Sequence, residues 1–123
     1  MVKRVLPDGT IDRGFGRRGA AMLPGRAARF PVAGQAIDAS GRLLLAGTSG
    51  HSFFLTRFTS NGRLDRAFGD TGRLATSFGA SSVVNARSVA INSRGRAVVA
   101  GTIASPRIPR ANGLALARFL LGR

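Results

Sequence analysis

The sequence predicts an all-β fold built from two four-stranded antiparallel units that resemble propeller blades. The chain repeats itself, because residues 8–16 return as residues 61–69 and residues 40–48 return as residues 94–102. Short apolar runs alternate with turns rich in Gly, Asp, Asn and Ser, which is typical of strands. No long stretch keeps a helical period. A repeat of this length is typical of proteins whose units bury their apolar faces against one another.

The clearest predicted element is a hairpin that occurs twice. Its strand, turn and return strand are residues 33–38, 39–41 and 42–47 in the first copy, and residues 87–92, 93–95 and 96–101 in the second. Gly41 and Gly95 close the turns, where tight hairpins need a positive φ. Both return strands are apolar on two faces, so we expect the two sheets to stack face to face.

A third and a fourth strand complete each unit. The third strand is expected at residues 53–58 and 114–119, with residues 2–5 as a further instance, and the fourth at residues 18–23 and 72–78. Four-stranded units of this length are typical of propeller blades. The predicted organisation is a single repeat domain with N-terminal strands in residues 1–24, a first blade at about 33–78 and a second, incomplete blade at about 86–123.

Two blades cannot close a ring, since a propeller needs about four to eight. The predicted architecture is therefore a partial β-propeller within a longer protein, or one completed by an oligomer whose copies pool their blades. In such an oligomer, the N-terminal strand of one copy would complete the last blade of its neighbour. A bare pair of stacked sheets is the third possibility, and it would leave apolar faces and strand edges open.

These motifs resemble the delta-60 repeat family, a group of bacterial β-propeller-like repeats. The resemblance rests on residues 56–69, on the Gly72-Arg73 pair that follows, and on the hairpin segments 40–47 and 94–101. It covers almost the whole chain except residues 105–112. It implies a propeller-type scaffold or protein-interaction domain whose partners are other blades, by self-association or within a larger propeller. It brings no established chemistry, and its members often belong to large exported proteins.

Composition adds a second hypothesis for the function. Lys and Arg number 19 against 5 Asp and Glu, which gives a formal net charge of +14. Such a field attracts nucleic acid and anionic surfaces, so an Arg-rich polyanion-binding module is the alternative to a scaffold. An Arg-rich composition without a polyanion partner would give the same charge.

The sequence also makes predictions about membrane-spanning segments and the cellular location. No apolar run approaches the about 18 residues of a membrane-spanning helix. The first nine residues contain two basic residues but no apolar run, which predicts no secretory signal in this chain and a cytoplasmic location as it stands. The family resemblance points instead to export.

One repeated motif combines an aspartate, a phenylalanine and a glycine. It comprises Asp12, Phe15 and Gly16 in the first copy and Asp65, Phe68 and Gly69 in the second. We predict a structural role, in which the carboxylate accepts backbone N–H bonds and the ring fills the gap between blades. Calcium is the alternative, but it takes about six to eight oxygen ligands, more than either turn offers. No metal or cofactor is therefore predicted.

Three arginines, Arg4, Arg57 and Arg118, occupy one position of the third strand. They could line an anion-binding surface, or each could pair with a turn carboxylate, here Asp12 or Asp65, and join neighbouring blades.

Catalytic chemistry has little support in the sequence. His51 is the only histidine, and Cys and Glu are absent. The spacing around His51 gives no nucleophile elbow, so we predict no catalytic residue, no enzyme activity and no particular small-molecule substrate.

Residues 105–112 interrupt the second copy and have no counterpart in the first. Pro106, Arg107, Pro109 and Arg110 predict an extended, exposed loop here. Because loops carry function more often than the scaffold does, this loop is the predicted contact site.

Overall fold

The computed structural model describes residues 1–23, 32–106 and 108–120, with the side chains of residues 108–112 left out of the description. The described chain is all-β and contains no helix, which confirms the predicted class. Seven strands form two antiparallel sheets, and neither sheet closes on itself. The first sheet contains β1 (Val32–Ile37), β2 (Leu43–Ser49), β3 (Ser52–Phe58) and β4 (Arg73–Ser77); the second contains β5 (Val83–Ile91), β6 (Arg96–Ser105) and β7 (Ile108–Leu120).

The β1–β2 and β5–β6 hairpins are closed by the same turn chemistry. Oδ1 of Asp38 accepts hydrogen bonds from the backbone N–H groups two and four residues later, both at 2.9 Å. Oδ1 of Asn92 does the same at 3.0 Å in the second hairpin. Gly41 and Gly95 adopt φ angles of 77° and 72°, where a side chain would be strained. The turn residues therefore fix the register of both hairpins.

Both faces of the first sheet are apolar and both are covered. Face A of this sheet carries Leu44, Ala46, Phe53 and Leu55, which form one core with the second sheet. The opposite face B carries Leu45 and Phe58, which are covered by Phe15, Ala21 and Leu23 of the N-terminal segment (residues 1–23). The first sheet thus lies between the N-terminal segment and the second sheet, and the expected face-to-face stacking of the two sheets is present.

The second sheet packs against the first through the face that corresponds, in the repeat, to face B of the first sheet. Leu43 is paired with Phe58 in the first sheet, and Ala97 is paired with Phe119 at the same place in the second. The inward side chains of the second sheet are buried: Ala97, Val99, Ala115, Ala117 and Phe119. Its outward side, face A of the second sheet, carries Leu114, Leu116, Arg118 and Leu120, all exposed.

The N-terminal segment departs from the prediction. Strands were expected at residues 2–5 and 18–23, but these residues make only isolated bridges, Val2 with Ala21 and Val5 with Ile11. These residues bridge only to one another within residues 1–23, and a two-stranded ribbon alone is barely stable.

The insertion also departs from the prediction. Residues 108–112 belong to strand β7 rather than to a loop, and Ser105 is paired with Ile108. The insertion therefore lengthens the β6–β7 hairpin. The described part of β7 pairs on one side only, with β6, and such edge strands tolerate proline because one side needs no donor.

Candidate functional site

The first aspartate motif forms a compact cluster in the N-terminal segment. Nε and Nη2 of Arg4 donate to Oδ2 of Asp12 at 2.9 and 2.7 Å, and the guanidinium lies 4.8 Å from the centre of the Phe15 ring. Oδ1 of Asp12 accepts the Gly14 N–H at 3.0 Å. Nη1 of Arg4 donates to the Ser60 carbonyl at 2.7 Å, which ties the segment to the turn after β3. The hydrogen bonds from Arg4 and from the Gly14 N–H hold the pKa of Asp12 below its usual value, so the pair is charged at neutral pH.

The second motif repeats this geometry in a buried place. Nε of Arg57 donates to Oδ2 of Asp65 at 2.8 Å, and its guanidinium lies 4.6 Å from the Phe68 ring centre. Oδ1 of Asp65 accepts the Ala67 N–H at 3.2 Å. The Arg57 side chain is 1% exposed, against 47% for Arg4. Arg57 lies in β3 opposite Leu44, on the face that packs against the second sheet, whereas Arg4 lies outside the two sheets.

The glycines of the motif allow close backbone approach. Gly16 and Gly69 have φ angles of 66° and 55°. A Cβ atom would lie 2.2 Å from the Ala20 carbonyl oxygen at the first position and 2.3 Å from the Arg73 carbonyl oxygen at the second. The six motif residues therefore form two matching turns, each of which places a phenylalanine ring in an apolar core.

Arg118, the third arginine of this position, has a different environment. It lies in β7 opposite Val98, is exposed, and makes no ion pair with any described residue. Its neighbours on face A of the second sheet, Leu114, Leu116 and Leu120, are 84%, 66% and 69% exposed. On the corresponding face of the first sheet, Leu44, Ala46, Phe53 and Leu55 are buried. Arg96 lies opposite Leu120 on the same face, so this apolar face carries two arginines that make no ion pair with a described residue.

The edge of the second sheet is also open. In the first sheet, β4 pairs with the outer edge of β3. No described strand takes that place beside β7, so the backbone N–H and C=O groups along this edge have no strand partner. An open edge of this kind is where another chain can add a strand.

The predicted contact site falls partly outside the described residues. Pro106 is exposed at the tip of the β6–β7 hairpin, and Arg107 lies outside the description. Pro109 and Arg110 belong to β7, and their side chains are not described. The predicted loop site is therefore a hairpin tip followed by strand.

Sequence reasoning missed one concave surface. A crevice of about 810 Å³ lies between residues 16–22 and residues 62–66. Arg17, Arg63 and Arg66 line it together with apolar side chains, and no acidic side chain does. The three arginines are up to 49 positions apart in the chain, so only the fold brings them together.

The remaining polar groups support little further chemistry. Nδ1 of His51 lies 2.6 Å from the Ser82 carbonyl oxygen, with which its ring hydrogen-bonds. Over the described ranges, no three His, Cys, Asp or Glu side chains come together as a metal site. The same ranges contain no helix with the length and apolar character needed to span a bilayer.

Comparisons of the chain with protein-family models, with curated proteins and with solved structures give no match.

Proposed function

We propose that the chain is a non-enzymatic module of the β-propeller type that serves as a scaffold or protein-interaction domain. Face A of the second sheet is its binding surface, and the partner is a further blade-like sheet, from another copy or from a larger propeller. The observation that carries the proposal is the exposure of Leu114, Leu116 and Leu120 on a face whose counterpart in the first sheet is buried.

The stacking order within the chain supports this assignment. The N-terminal segment covers face B of the first sheet, and face A of the first sheet covers the inward face of the second. A further sheet stacked in the same order would bury face A of the second sheet. Burial of a leucine side chain is worth about 1.5–3 kcal/mol, so a face with three exposed leucines favours association.

The partner's chemistry follows from Arg118. Arg4 and Arg57 each have an aspartate partner and a phenylalanine ring beside the guanidinium. A partner that brings a carboxylate and an aromatic ring to Arg118 would complete the third instance of the cluster. A strand added to the open edge of β7 would supply the counterpart of β4.

Light scattering across a range of protein concentrations tests the proposal. We expect the wild-type mass to rise with concentration, and the double variant Leu114→Asp/Leu116→Asp to stay monomeric because it places two charges on the stacking face. Ile37→Asp is the matched control, since Ile37 is 70% exposed but lies in β1, away from this face. A wild-type chain that stays monomeric throughout, or a control that dissociates as the double variant does, would contradict the proposal.

A further inference from the structure

We infer that the crevice between the N-terminal segment and residues 62–66 binds a chain of phosphate groups. Arg17, Arg63 and Arg66 are all exposed at this surface. A guanidinium is always charged and matches phosphate oxygens with paired N–H donors. The site is separate from face A of the second sheet, so the inference does not depend on the proposed function.

The three guanidinium groups are available to a ligand. The ion pairs of the described chain join Arg4 to Asp12, Arg42 to Asp38 and Arg57 to Asp65. None of them involves an arginine of the crevice, and no side-chain hydrogen bond of these arginines is present within the described ranges. Their positive charge is therefore not neutralised by the fold.

The fold does not require arginine at two of these positions. The repeat places Asp70 at the position of Arg17, and the backbone N–H of each donates to the carbonyl three residues later, at 2.8 and 2.7 Å. It places Thr10 at the position of Arg63. The backbone carbonyl of each accepts a hydrogen bond from the N–H of the residue four positions earlier, at 2.8 Å for Thr10 and 2.7 Å for Arg63. The turns form with an acidic or a neutral residue, so turn formation does not account for the arginines at these two positions.

A second basic surface favours an extended ligand. Lys3, Arg13 and Arg18 line another concave surface, of about 600 Å³, together with Ile11. Arg17 and Arg18 are consecutive, so the two surfaces meet at one turn. A single phosphate would occupy only one of them, whereas a chain of phosphates could contact both. Polyphosphate and the backbone of single-stranded nucleic acid share this chemistry.

The floor of the crevice favours contacts to phosphate rather than to bases. Phe58 is the aromatic residue of the lining and is buried, so it offers no exposed ring on which a base could stack. Recognition of phosphate alone predicts that affinity falls linearly in a plot of log K against log salt.

Calorimetric titration of the full chain with inorganic polyphosphate tests the inference, with a single-stranded oligonucleotide as the second probe. In the double variant Arg63→Gln/Arg66→Gln, we expect the affinity for polyphosphate to fall about tenfold at low salt and the salt slope to fall by about 1.4, because two phosphate contacts are lost. Arg87→Gln/Arg94→Gln removes the same charge from exposed positions of the β5–β6 hairpin and should change either quantity much less.

The outcomes separate the two phosphate sources. Binding of both probes with the same loss in the crevice variant supports recognition of any phosphate chain, and binding of polyphosphate alone supports the inorganic polymer as ligand. An equal loss in the two double variants would mean that only the overall charge matters and would overturn the inference. Failure of polyphosphate to bind, with or without binding of the oligonucleotide, would overturn it as well.

Discussion

Replacing Asp65 by alanine isolates what a buried copy of the aspartate motif contributes to stability. The substitution leaves the Arg57 guanidinium, 1% exposed, without the carboxylate that it bonds at 2.8 Å. Removing one partner of a buried ion pair costs about 3–5 kcal/mol, and the lost turn bond to Ala67 adds about 1 kcal/mol. Arg57 keeps a further interaction and its contact with the Phe68 ring, and Asp65 is 15% exposed, so water can replace part of what is lost. We therefore expect a loss of about 3 kcal/mol, near the lower limit.

Urea unfolding followed by circular dichroism measures this loss, which corresponds to a fall in Tm of about 10 °C for a chain of this size. Asp12→Ala is the matched control, because it breaks the same contacts around an arginine whose side chain is 47% exposed. Because water reaches Arg4, Asp12→Ala should lose much less stability than Asp65→Ala. The double variant Arg57→Met/Asp65→Leu should recover part of the stability, since it leaves no uncompensated charge. Equal losses for the two aspartate variants would refute the reasoning.

Four further predictions concern single positions, each measured as the free energy of unfolding. Thr56→Val should stabilise the chain by about 1 kcal/mol, because the Thr56 hydroxyl is fully buried and has no hydrogen-bond partner among the described residues; an unchanged or lower stability would contradict this. Thr71→Gly should stabilise it by about 1 kcal/mol, since a β-branched residue is strained at φ 50°; a loss would contradict this. Gly101→Ala should cost about 2 kcal/mol or more, because its Cβ would lie 2.0 Å from a carbonyl oxygen of β5; a neutral result would mean that the hairpin shifts freely. Burial raises the pKa of Asp38, but hydrogen bonds from Arg42 outweigh it and leave the pKa below its usual value. The contribution of Asp38 to stability is therefore present above about pH 4 and is lost as the pH falls further. Asp38→Asn should reduce stability at pH 7 and weaken the loss of stability at acid pH, and an unchanged acid loss would contradict this.

The hairpins could be predicted from sequence because their information is local. An aspartate or asparagine followed three residues later by glycine sets the turn at Asp38 and at Asn92. The apolar runs on either side then specify strands and, through their two apolar faces, the stacking of the sheets. The all-β class needs no information beyond these segments.

The insertion could not be interpreted in this way, because two prolines argue against a strand unless the strand lies at an edge. Whether a strand is an edge depends on which neighbours exist, and that is a property of the whole sheet. The N-terminal segment shows the reverse case. Its residues 2–5 resemble a strand, yet strand formation depends on a neighbouring hairpin that the described segment lacks.

The two candidate binding surfaces differ in how far sequence could predict them. Arg118 could be aligned with Arg4 and Arg57, but only the register of β7 shows that it shares an open face with exposed leucines. The crevice lies beyond sequence reasoning, because Arg17 and Arg63 belong to different copies of the repeat and meet through the packing of the N-terminal segment on the first sheet.

The contact of one sheet's face A with the opposite face of the next gives the molecule a polarity. Its two ends differ, so in the proposed assembly every added unit would join in the same direction. In that proposed assembly, the angle between successive sheets would decide whether the units close into a ring. Gly34 lets the first sheet approach the second closely, because a Cβ there would lie 2.9 Å from the Val89 nitrogen of the second sheet. A single methyl group at this position would therefore force the two sheets apart at this contact.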